Sequence, residues 1–308
     1  MTVAVLLPLL ASAVFGLVAP GLAQRLPPAV ATWLLSVGGL CAGAGVVASL
    51  SLLALTVVGQ VPFLAEQGHW SDSVLHRADQ IWPPLAVAAL VALAVLTLRV
   101  LVTGYRRITA LRAAYRLATS LSLQANELVV LNVAEHQAYA VPGNPGRIVV
   151  SSGLLRVLSA AERRGVLAHE RAHLRQHHHI HHTAAQLAAA ANPLAFRLPN
   201  MVALATERWA DETAGRACTR ADVAHALVTA AGRGSPQPAT SGAVLAVAET
   251  AVAARVSALA RPARPLSVYR LALLLALLGV IAVSTLHAAA DVDRVFDLAQ
   301  SAYHLSHS

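Results

Sequence analysis

No lysine occurs anywhere in the chain, and all 23 of its basic residues are arginine. Charged residues of both signs make up only 12% of the 308 positions and aromatics only 4%, while 56% are hydrophobic. A soluble globule needs about a quarter of its residues charged, so this balance points away from one. There are two cysteines, Cys41 in an apolar run and Cys218 in a more polar block, which argues against a disulfide framework. The arginine-only, alanine-rich composition reads as a GC-rich coding bias without functional content. A formal charge of +8 could suggest nucleic acid. The arginines, however, gather beside apolar runs, where they orient helices in a bilayer, and no direct nucleic-acid binding is expected. No internal repeat is present.

What the chain does have is long hydrophobic runs. Four are long enough to cross a bilayer, at about 20 residues per crossing. They cover roughly residues 3–23, 33–61, 82–102 and 271–290. The first lacks the positive flank of a signal peptide and reads as a true span. The second carries Gly39 and Gly43, the small-xxx-small spacing that lets helices approach closely. Arg99, near the end of the third, can extend its stem to the interface.

The segments "RVLVTGYRRITALRAAYR" after the third run and "RPARPLSVYR" before the fourth are strongly basic. The Glu66–Asp79 loop and the tail beyond residue 290 are richer in acids. The positive-inside rule then predicts three spans in residues 1–102, a cytoplasmic domain in 103–265, and a fourth span with a short extracellular tail in 266–308. Both termini would lie outside a multi-pass cell-membrane protein. The expected class is a mainly α membrane protein with an α+β domain between spans 3 and 4.

Within that block, "ELVVLNV", "AYAV" and "RIVVS" read as short strands, the last two joined by a turn at "PGNPG". Ser159 to Glu162 is a capping box that opens a helix. Residues 232–242, "GRGSPQPATSG", read as a linker followed by an alanine-rich helix.

The capped helix carries seven histidines between His169 and His182. His169, Glu170 and His173 form H-E-x-x-H, in which the two histidines share one helical face and can reach a single ion. Glu170 beside them suits a general base. A catalytic zinc wants a third protein ligand and one open position. His177 lies about 12 Å along a continuous helix from His169, too far to share the ion. The better candidate is in "ATERWADETAGR", where Glu207 and Asp211 are again i and i+4. Glu207 would complete the ligand set, and Asp211 would orient a ligand imidazole through a hydrogen bond. The bland alternative for these two is a solvated acidic face.

"AYAVPGNPGRIVVSSGLLRVLSAAERRGVLAHERAHLRQH", with "NPLAFRLP" and "ERWAD", resembles membrane-embedded bacterial zinc peptidases. The likeness is to the β-lactam sensor-transducer antirepressors, with the CAAX prenyl proteases and heat-shock membrane proteases related, and it covers about residues 125–220. It implies a minimal gluzincin-type domain holding one Zn²⁺ through His169, His173 and Glu207, with Glu170 as base. It also implies a protein or peptide substrate lying as an added strand along the sheet edge, on "RIVVS" or "AYAV". The sensor members carry a penicillin-binding domain after the last span, and this chain is expected to lack it. A signal would enter through the Glu66–Asp79 loop, the tail, the spans or a partner.

The resemblance implies cleavage of a penicillinase-repressor-type transcriptional repressor, or of the protein itself at the 232–242 linker. A quality-control protease for membrane proteins is the alternative. A metal transporter would need ionisable groups inside the spans, and these spans have almost none. A zinc site within the bilayer would bury Arg163, Arg164, Arg171 and Arg175 in lipid. A catalytically silent receptor would have little use for the intact ligand set. His178, His179, His181 and His182 read as exposed passengers, and His136 as a solvated turn residue. His225 and Tyr139 are weak candidates for stabilising transition-state charge.

Overall fold

The computed structural model describes residues 2–78, 83–122, 127–232, 252–261 and 265–306. Four of its helices are long and apolar enough to cross a membrane. They are α1 (Thr2–Ala23), α2 (Pro28–Val58), α5 (Pro83–Ser122) and α12 (Val268–Ser306). α1 packs on both α2 and α12, and α2 also packs on α5. Short α3 (Pro62–Gly68) and α4 (Asp72–Ala78) follow α2. They are tied back by Trp70 Nε1 donating to the Gly59 carbonyl and by Ser71 N–H donating to Ala299. α5 does not stop where its apolar run ends. The basic segment after Arg99 continues the same helix to Ser122, for 40 residues in all.

Three strands follow: β1 (Leu128–Leu131), β2 (Ala138–Val141) and β3 (Arg147–Ser151), in the order β1-β3-β2. β3 pairs parallel with β1 and antiparallel with β2. Every residue of β3 is buried, as a central strand with an unbroken apolar run requires. β3 is therefore not the edge open to an added strand, as the sequence had allowed. Only β2 of the two expected candidates lies at an edge.

After β3 come α6 (Ser152–Val157), α7 (Ala160–Arg175), α8 (His178–Ala191), a 3-10 turn at Pro193–Ala195, α9 (Leu198–Ala217), α10 (Arg220–Gly232) and α11 (residues 252–259). Residues 233–242 of the expected linker lie outside the described residues. α8 and α9 pack directly on the long apolar helices. Gly39 and Gly43 of α2, expected to let spans approach each other, receive this pair instead. A Cβ on Gly39 would stand 3.1 Å from Ala188 Cβ and 2.3 Å from Leu198 Cδ2, and one on Gly43 would meet Ala191. One apolar core accordingly runs through Phe15 and Leu35, Ala188 and Leu198, and Leu274 of α12. Fully buried residues such as Leu35 and Leu198 each contribute about 1.5–3 kcal/mol to that union.

Candidate metal centre

α7 begins where Ser159 Oγ accepts from the Glu162 N–H and Glu162 Oε2 accepts from the Ser159 N–H, the reciprocal capping box read from the sequence. The helix buries Gly165 and Ala172 and packs on α9 and β2. That seating turns His169 and His173 toward α9. Their Nε2 atoms stand 3.0 Å apart. α9 buries Leu198, Val202, Ala210 and Ala214, leaving Glu207 and Asp211 on the face toward α7. Glu207 Oε2 lies 3.4 Å from His169 Nε2, and Oε1 lies 3.5 Å from His173 Nε2.

These three donors fit a single divalent cation. Tetrahedral ligands at about 2.0–2.1 Å from an ion sit about 3.3 Å from one another. The donor set of two imidazoles and a carboxylate suits such an ion. His169, His173 and Glu207 form the one such group of histidine, cysteine or acidic side chains among the described residues.

The atoms behind the ligands are also placed. His169 Nδ1 is buried 3.0 Å from Asp211 Oδ1, close enough for strong attraction but off the line a hydrogen bond needs. Arg255 of α11 donates through Nε and Nη2 to both Asp211 oxygens, at 2.8 and 2.7 Å. Its Nη1 lies 3.0 Å from Glu207 Oε2. α11 is held for this task by Leu259, buried with Ala214 and Val223, and by Arg220, which donates to the carbonyls of Leu259 and Arg261.

On the other ligand, His173 Nδ1 stands 2.9 Å from Nδ1 of His178. With Nε2 of His173 left for a cation, its Nδ1 carries the proton and His178 accepts it. His178 then keeps its own proton on Nε2, which is buried without a hydrogen-bond partner among the described residues.

Charge follows this geometry. Burial pushes the His169 imidazole down, but the carboxylates of Asp211 and Glu207 outweigh it and hold the ring up at about 9. Burial, aided by the neighbouring His169, takes His173 down to about 4. Burial favours the neutral acid of Glu207, yet His169 and Arg255 pull it down to about 2. Burial raises Glu170 above the usual carboxylate range, with His169 opposing and Glu207 reinforcing.

The centre opens into a cleft of about 1010 Å³. Its walls are β2 with Tyr139, α7 with Glu170, α10 with Ala226 and Leu227, and Arg107 to Ala114 of α5. His169, His173 and Glu207, which could hold a cation, and the neighbouring Glu170 thus all face one open cleft.

Residues 103–307 match the family described as Peptidase family M48. The chain belongs to peptidase family M48. It is therefore a member of a metal-dependent peptidase family, and its four long apolar helices make it a membrane-associated one. No curated protein and no solved structure matches the chain.

The M48 peptidase departs from the sequence reading at several points. His178 and His181 are not exposed passengers, being 1% and 5% accessible. The cause is His177, whose left-handed backbone (φ 50, ψ 43) ends the α7 run and swings α8 back beneath His173. That conformation costs a non-glycine residue about 1–2 kcal/mol. His181 Nδ1 meets Ser36 Oγ of α2 at 2.8 Å and packs edge-on to Trp33. His182 Nε2 meets Thr206 Oγ1. His136 lines the cleft rather than standing in solvent, with its Nδ1 buried. His225 sits on the exposed side of α10 and does not line the cleft, whereas Tyr139 does. Arg255 escaped the sequence reading altogether. Its one signal is to be the sole charge in the ten residues "AVAARVSALA".

Proposed function

We propose that this M48 peptidase is an integral-membrane, zinc-dependent endopeptidase whose cleft lies at the cytoplasmic membrane face. The observation that carries the proposal is the meeting of His169, His173 and Glu207 within 3.0–3.5 Å, with the buried Glu170 beside them in an open cleft. Residues 103–265, the arginine-rich part, would face the cytoplasm, with both termini outside.

His169, His173 and Glu207 would hold Zn²⁺, which when bound polarises water and the scissile carbonyl. A polypeptide enters as an extra strand along the free edge of β2, which orients its carbonyl in the cleft. Glu170 accepts the proton of the attacking water. Its burial-raised proton affinity then lets it hand that proton to the leaving nitrogen. Asp211 and Arg255 fix the ring of His169 and the carboxylate of Glu207. Tyr139, on the β2 edge, lines the cleft and would donate its hydroxyl proton to the developing oxyanion.

The likeness over residues 125–220 to the sensor-transducer antirepressors supports a signalling role. In that role the substrate is a cytosolic transcriptional repressor or the chain itself. A quality-control protease for membrane proteins is the second reading, favoured by a cleft wall built from the continuation of α5. Replacing Glu170 by Gln in cells and identifying the protein that accumulates separates the two. A DNA-binding regulator supports signalling, a spread of membrane proteins supports quality control, and no accumulating protein counts against proteolysis.

A further inference from the structure

Residues 183–206, "TAAQLAAAANPLAFRLPNMVALAT", contain a single charge, Arg197. They form most of α8, the 3-10 turn and the first half of α9. Neither half reaches spanning length, so hydropathy along the sequence passes over them.

Their contacts place them deep. Asn192 Nδ2 donates to the carbonyl of Ser12 at 2.9 Å, and Ser12 lies near the middle of the Val5–Ala23 apolar stretch. The Leu194–Ala195 backbone rests on Gly16, where a Cβ would stand 2.9 Å from Ala195 N. Gly16 precedes Ala23 by seven residues, about 10 Å along the helix axis. Half the hydrocarbon thickness is about 15 Å.

Hydrocarbon demands that backbone groups be paired internally, and several at this turn are. The Asn192 N–H donates to Ala188, the Ala195 N–H to the Asn192 carbonyl, and the Leu194 N–H to Asn192 Oδ1. Arg99 Nη2 donates to Ala189, one of the last carbonyls of α8. Asn192 itself is 2% exposed, while Leu194 and Phe196 at the turn are 45% and 65% exposed. Asn192 is turned inward, and Leu194 and Phe196 outward. That is the reverse of a turn in water.

We propose that residues 183–206 are a re-entrant helical hairpin, entering the bilayer from the cleft side and turning back beside α1, with Leu194 and Phe196 against lipid acyl chains. Arg197 immediately precedes α9, where its stem can carry the guanidinium toward the headgroups. The proposal rests on the reading that α1 and α2 cross the bilayer.

The chain supplies an internal reference for that reading in Cys41, exposed on α2 and 13 residues beyond Pro28. Phe196→Cys and, as an aqueous reference, Glu135→Cys on the exposed β1–β2 loop are introduced into the full chain. Sealed vesicles of both orientations are treated with a membrane-impermeant maleimide, and each site is read by peptide mass spectrometry. The thiol at 196 and Cys41 are expected to react at least tenfold more slowly than the thiol at 135, whichever way the vesicles face. A thiol at 196 that reacts like the one at 135 while Cys41 stays protected overturns the hairpin and leaves the spans standing. Rapid reaction of Cys41 as well overturns the spans themselves. A bimane label at 196 is then exposed to lipids with nitroxide-labelled acyl chains. Strong quenching supports contact with lipid. Protection without quenching assigns the turn to a protein neighbour and overturns the proposal. Phe196 is exposed, so its replacement leaves the core intact.

Discussion

Arg255 and Asp211 are joined by two parallel hydrogen bonds, although 44 residues separate them, and the same guanidinium reaches Glu207. The pair sits directly behind His169 and is largely shut off from water, with side-chain exposures of 14% and 3%. Guanidinium and carboxylate match as fork to fork, which fixes direction as well as charge. α11 is thereby a part of the centre rather than an appendage to it.

Arg255→Ala takes from the buried Asp211 carboxylate the guanidinium that pairs both of its oxygens. Removing one partner of a buried pair costs about 3–5 kcal/mol. A clear fall in the midpoint of thermal unfolding in detergent is expected, and Arg255→Lys, which cannot reproduce two parallel bonds, should recover only part of it. An unchanged midpoint for Arg255→Ala would show that the pair holds nothing.

Glu170→Gln keeps size and burial but removes the proton acceptor. Peptide hydrolysis should fall about 10²–10⁴-fold, the usual worth of a positioned general base. Metal content, measured by mass spectrometry of the purified protein, should stay at one ion per chain. Loss of the ion in this variant would show that Glu170 belongs to the ligand set instead.

His178→Leu deprives Nδ1 of His173 of its acceptor. Outer partners of ligand imidazoles are worth about 10–100-fold in metal affinity. His178→Asn, whose side-chain oxygen can take the same proton, should restore most of that loss. Competition with a chromophoric chelator measures both, and equal affinities across the three proteins would reduce His178 to a packing residue.

Cation uptake should release a proton. In the cation-free protein His169 is held up at about 9 and carries a proton near neutrality, whereas His173, down at about 4, does not. A cation takes the neutral ring, so binding below about pH 9 expels close to one proton. Apparent affinity should therefore rise about tenfold per pH unit from neutrality up to about pH 9 and level off above it. Calorimetric titrations of zinc into chelator-treated protein, in buffers of different ionisation heat, measure the proton count. Identical heats in those buffers would contradict the assignment.

Gly16→Val places a side chain against the Leu194–Ala195 backbone, which cannot yield as a flexible side chain would. Overpacking of this kind costs about 1–3 kcal/mol. The variant should show faster proteolysis around residues 192–197 in detergent, while Gly21→Val, with open space around it, should not.

How much of this was legible depended on distance along the chain. His169 with His173, and Glu207 with Asp211, announce themselves because one helical turn sets each pair on a common face. The three strands and the Ser159 cap were equally local, and all were readable. Arg255 was not, since nothing near it in the sequence mentions Asp211. The histidines after His173 were misread for a subtler reason. A left-handed residue at His177 resets the helical phase, and a periodic reading carried through it places His178 and His181 on the outside. Which strand formed the sheet edge likewise depended on the parallel pairing of β1 with β3, a contact that hydrophobic pattern alone does not reveal.

α5 is unbroken from Pro83 to Ser122, so one end of a single rod stands in the apolar bundle while the other forms a wall of the cleft. At 1.5 Å per residue the rod is about 60 Å long. A lean of only ~5° about its far end would carry the distal tip sideways by about 5 Å, comparable to the spacing between neighbouring strands. Where its apolar end crosses a bilayer, a mismatch in thickness would be accommodated by tilt. The same rod packs on β2 and β3 through Ala114 and Ala118, so a lean of its apolar end would be felt at the strand beside the cleft.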